Sequence, residues 1–98
     1  MKYFKPNEVT SPQRYVEIID VLHDGGEESF SIARIKWDGT ECFAIRWNVA
    51  APEWEVQDKI NEKKICVGMP SSHGYPVWFV LPEEFNKCAV DFISKRQK

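Results

Sequence analysis

The chain lacks an excess of charge of either sign. Its 13 Lys and Arg stand against 15 Asp and Glu, a formal net charge of −2. A protein that binds nucleic acid by bulk charge is thereby excluded, and any anion site must rest on a local basic patch. Long apolar runs are missing too. Nothing approaches the roughly 20 residues of a membrane-spanning helix, and "MKYFKPNEV" has no signal-peptide core. The expectation is a soluble, cytoplasmic protein with no membrane partner. Cysteine is scarce and unpaired. Cys42, Cys66 and Cys88 form no CxxC and have no short spacing to His, which argues against a disulfide framework or a zinc site. They read as three reduced, mostly buried thiols.

Motifs of chemistry are also missing. No glycine-rich phosphate loop occurs. Ser71-Ser72-His73 has no G-x-S-x-G context, and Ser and His adjacent in sequence rarely face each other. A hydrolase centred on Ser72 and His73 would need a buried acid beside the His and an open pocket. Glu27-Glu28 reads as a solvated turn, Glu83-Glu84 as a helix start, and His23 as a strand-edge residue. The expectation is a protein that is not an enzyme, with no catalytic residue, no cofactor and no metal.

What the chain does have is rings. Four Trp, three Tyr and six Phe in 98 residues exceed what a small core hides, so some belong to a binding or oligomer surface. The length suits a single domain over 1–98. Residues 1–13, with Pro6 and Pro12, read as an irregular lead-in. "RYVEIIDVLH" favours a strand, stopped by the turn residues Asp24-Gly25-Gly26. "SFSIARIKW" alternates, with Phe30, Ile32, Arg34 and Lys36 on one face and Ser31, Ala33, Ile35 and Trp37 on the other. Asp38-Gly39 signals a type I′ hairpin, and "TECFAIRW" returns.

Residues 49–64 break the pattern with Pro52 and dense charge of both signs, and read as a charged excursion between sheet strands. Within it, "EWEVQDKINEKK" is able to form a short surface helix. "ICVGM" reads as a brief strand, "PSSHGYP" as turn, and "VWFVL" as a strand buried on both faces. Pro82 opens the clearest helix, whose apolar stripe is Phe85, Cys88, Ala89, Phe92 and Ile93.

Trp37, Gly39, Ile45 and Arg46 in "WDGTECFAIR" form a sequence of aromatic, one residue, Gly, then a strand ending in Ile-Arg. Over roughly 29–48 and 76–94 the chain resembles the single-stranded-DNA-binding domain of the transcriptional coactivator PC4 family and its smaller bacterial relatives. "WFVLPEEF" is similar to that family's strand-to-helix junction. The resemblance implies an α+β fold, a curved four-stranded antiparallel sheet followed by a C-terminal amphipathic helix. It also implies a homodimer through that helix, and a role in transcription or DNA maintenance. By the match, Trp37 is the stacking ring and Arg46 a phosphate or base contact. Val49 stands where the family has a further stacking Trp, and "HGYPV" carries no Lys or Arg where the family has a basic loop.

The functional expectation is single-stranded nucleic-acid binding. Rings at Trp37 and Trp47, with Phe30 as a possible third, would take bases, and Arg34, Lys36 and Arg46 would take phosphates. The pleat sets a condition, because Arg34 and Lys36 share a face that Trp37 does not. The rival is a protein-interaction or dimerisation module in which the same rings form an interface.

Overall fold

Why the chain turns at Asp38-Gly39 is visible in the backbone. Both residues have positive φ, 50° and 84°, the conformation a two-residue type I′ hairpin requires. The computed structural model describes residues 1–96. Its strands are β1 (Val16–Asp24), β2 (Phe30–Trp37), β3 (Thr40–Trp47), β4 (Ser71–Ser72), β5 (Tyr75–Pro76) and β6 (Phe79–Val80). The helices are α1 (Gln57–Ile60) and α2 (Asn86–Arg96). The hairpin of β2 and β3 pairs without a break from Phe30↔Trp47 to Trp37↔Thr40. An antiparallel four-stranded sheet grows around it in the order β1-β2-β3-β6. β1 carries two register shifts, between Ile18 and Asp20 and between Val21 and His23. Each bends the strand, in keeping with the curvature of the sheet.

The alternation read from the sequence is the one the sheet uses. Ala33, Ile35 and Ala44 point to one side and form a core with Val9, Val16 and Trp78. The lead-in is irregular apart from a 3-10 turn at Pro6–Glu8 and an isolated bridge at Tyr3, yet it is part of this core. Val9 is fully buried, and its carbonyl accepts a 2.7 Å hydrogen bond from the Trp78 indole Nε1. Trp78→Phe removes that donor and leaves a buried carbonyl unpaired. The expected cost is about 1–2 kcal/mol in urea unfolding.

The stretch "VWFVL" corrects one expectation. Only Phe79 and Val80 are strand, at the sheet edge and against β3 alone. Trp78 is buried, whereas Phe79 is exposed. A strand covered on both faces needs packing on each side, and here the outer side at Phe79 is bare. "PSSHGYP" holds a miniature hairpin of β4 and β5, turned by His73 and Gly74 at φ 51° and 81°. "ICVGM" is not a strand. It contributes two isolated bridges, Tyr3↔Cys66 and Trp47↔Met69.

α2 lies over the other side of the sheet. The Phe92 ring sits 5.2 Å from His23 and 5.4 Å from Phe30, and Ala89 and Ile93 are buried. Phe85 and Cys88, expected in the same stripe, are exposed. Residues Glu83–Phe85 form a 3-10 turn before the α-helix starts at Asn86, and its tighter winding takes Phe85 out of line with the later positions. The thiols also depart from expectation. All three are free, but only Cys66 is buried; Cys42 is half-buried and Cys88 exposed. Among the described residues no helix is long and apolar enough to cross a membrane.

Candidate binding surface

The five residues singled out in the sequence do not meet on one face. Arg34 and Lys36 lie on the α2 side of β2, near the hairpin tip, and both are exposed. Arg34 Nε stands 3.8 Å from Glu41, an exposed pair worth at most about 1 kcal/mol. Trp47, opposite Phe30, is on that same side but at the far end of the hairpin. Trp37 and Arg46 point to the other side, as the pleat requires.

Arg46 is only 3% exposed. Its Nη1 donates to the Val77 carbonyl at 2.5 Å and more weakly to that of Pro70, and its Nη2 donates to the Val67 carbonyl. Burial pushes the guanidinium down to about 10, against the opposing pull of Glu53, so it stays charged at neutral pH. The phosphate contact that the resemblance implied for Arg46 is not what this geometry offers. Its donors hold the backbone of residues 67–77 onto the sheet.

Glu53 completes the clamp. It lies in the 3-10 turn Ala51–Glu55, within the charged excursion, and is buried. Oε1 accepts from the amides of Ala50 and Gly68, each at 2.8 Å. Oε2 accepts from the Val67 amide at 2.8 Å and the Lys59 ammonium at 2.5 Å. Burial alone would raise the Glu53 pKa, but these four donors outweigh it and hold the carboxyl below its ordinary value. The excursion is thus tied down at one buried carboxylate. Sequence reasoning missed Glu53, although Pro52-Glu53 at the start of a short helical turn is a recognisable capping signal.

The clamp sets Met69 beside Trp47, and the two backbones exchange hydrogen bonds of 2.8 and 3.1 Å. The result is a contiguous apolar surface where α2 leaves the sheet bare. Trp47 is 52% exposed, Met69 51% and Phe79 55%. With Phe30, Ile45 and Pro70 they enclose a hollow of about 470 Å³. A second groove of about 380 Å³ lies on the other flank of Trp47 and Met69, lined by Glu27, Glu28, Val49, Ala51 and Trp54. Met69, Phe79 and Trp54 were not singled out from the sequence. Only Trp54 carried a signal, as a ring stranded in a charged stretch.

A smaller feature sits at the hairpin tip. Tyr15 and Trp37 stack tilted, 6.2 Å apart at 34°, beside a shallow hollow of about 150 Å³ lined by Arg14 and Lys36 and also by Glu17, which stands opposite Lys36. Compared with known protein families, curated proteins and solved structures, the chain matches none of them.

Proposed function

We propose that the chain is a non-enzymatic binding protein whose bare sheet face, Phe30, Ile45, Trp47, Met69 and Phe79, receives an apolar surface of another protein. The observation that carries this reading is the continuity of the exposed apolar patch on the sheet face. Among the described residues the one cation lining its hollow, Arg46, has its Nη donors turned into the interior. Aromatic and Met side chains on a rigid support are the usual anchors of protein interfaces, whereas a phosphate backbone needs free cations beside its stacking rings.

Single-stranded nucleic acid is the second reading. It is favoured by one observation, the Tyr15–Trp37 pair beside Arg14 and Lys36 at the hairpin tip, although Glu17 lines the same hollow. That site is distinct from the apolar face, so the two readings separate experimentally. Phenol titrated into isotope-labelled protein should shift the amides of Trp47, Met69 and Phe79. The shifts should persist at raised salt and largely vanish in Trp47→Ala, whose truncation leaves an exposed position and an intact fold. A mixed-sequence single-stranded oligonucleotide that binds, weakens steeply with salt and is lost in Trp37→Ala but kept in Trp47→Ala would transfer the function to the tip. Absence of phenol shifts on the apolar face would remove the leading reading.

A further inference from the structure

The hollow does not end at Trp47. Trp47 and Met69 form a ridge between it and the second groove, where Trp54 lies close to Glu27 and Glu28. Glu28 is exposed, and Glu27 takes the Met1 amino group with one carboxylate oxygen. Indole faces and carboxylates attract the same class of ligand group, a cation on an alkyl stem. The hollow on the other flank is different. Among the described residues it holds no carboxylate, and its only charged lining residue is Arg46, whose Nη atoms are engaged by carbonyls. Next to it runs β6, an edge strand with a neighbour on one side only, against which an extended chain can lie.

Resting on the reading that this face receives protein, we propose that its occupant is a linear segment of a partner protein carrying a bulky apolar side chain beside a Lys or Arg. The apolar side chain enters the hollow between Phe30 and Phe79. The segment crosses the Trp47–Met69 ridge, and the cation lies in the groove of Trp54 with its head at Glu28. Charge complementarity selects this occupant over a nucleic acid, whose phosphates the exposed Glu28 carboxylate repels, Glu27 being engaged by the Met1 amino group.

The test is selection from a library of displayed random linear peptides on the immobilised full chain, followed by titration of a selected synthetic peptide in solution. Selected sequences should combine an aromatic or Leu with a nearby Lys or Arg. Trp47→Ala should weaken the peptide about tenfold or more. Glu28→Lys, at an exposed position, should weaken it by about threefold to fivefold. Thermal melts of both variants verify folding. Apolar peptides without basic enrichment, or affinity unchanged in Glu28→Lys, would overturn the inference and leave the apolar interface standing. No enrichment at all, together with no phenol shifts at Trp47, would overturn both.

Discussion

Replacing Glu53 by Ala is expected to cost about 3–5 kcal/mol of folding stability, the scale for breaking a buried, hydrogen-bonded charge pair. Four donors converge on this carboxylate, three of them backbone amides. Truncation leaves the amides of Ala50, Val67 and Gly68 without acceptors and the Lys59 ammonium, about one-fifth exposed, without a counter-charge. Glu53→Gln is nearly isosteric but not benign. Each carboxylate oxygen faces two donors, so whichever end carries the new NH₂ meets N–H groups. Its loss should still be at least about 2 kcal/mol. Urea unfolding followed by Trp fluorescence measures both. A Glu53→Ala variant within 1 kcal/mol of the parent, to use the rough scale of an ordinary substitution, would show that the clamp does not hold the fold.

The same carboxylate gives a pH dependence of definite sign. Its folded pKa is held below the ordinary 4.5 by Lys59 and the three amides, against the opposing effect of burial. In the unfolded chain it titrates near the ordinary value. The unfolded state therefore binds the proton first as pH falls, and the stabilisation is complete above about pH 4.5. It declines below that, through the depressed folded pKa. The parent should lose stability on acidification in this window more steeply than Glu53→Ala, which has no such group to protonate. Parallel acid profiles in the two proteins would contradict the assignment.

How much of this was legible beforehand depends on the range of the interactions. The hairpin was readable because a two-residue turn and a period of two are local: Asp38-Gly39 and the alternation from Phe30 to Trp37 need no distant partner. Even the separation of Trp37 from Arg34 and Lys36 followed from the pleat. The resemblance and the basic content of the hairpin make Arg46 a ligand contact, and nothing local in the sequence contradicts that. What turns it inward is the chain at 67–77, some twenty to thirty residues away, and no local pattern announces such a lid. The bare face had the same difficulty. Phe30 and Trp47 are neighbours across one hairpin, but Phe79 reaches them through the pairing of β6 with β3, and Met69 through its bridge to Trp47 beside the Glu53 and Arg46 clamp, all contacts between residues distant in sequence. Phe85 left its expected stripe for a smaller reason, a single 3-10 turn where the α period had been continued backwards.

Gly68→Ala tests that returning segment at its tightest point, and it should be among the most damaging single-methyl additions to the chain. Gly68 has φ +74° and is buried. An added Cβ would fall well inside the contact distance of the Trp47 carbonyl oxygen and Arg46 Nη2, and 2.8 Å from the Asn48 carbonyl oxygen. Two of these neighbours are backbone of the sheet end and the third is engaged by carbonyls, so none yields cheaply. Gly74, at φ +81° with nothing within 4 Å of an added Cβ, separates strain from packing. Gly74→Ala should cost only the left-handed backbone penalty, about 1–2 kcal/mol. Gly68→Ala should cost at least about 2 kcal/mol more, because overpacking of a site that cannot relax adds to the strain. It should also weaken the binding face, since moving Gly68 pulls Met69 from Trp47 and separates two walls of the hollow. Equal losses in the two variants would mean that the chain at 67–70 shifts freely and that the face is not built on a rigid support.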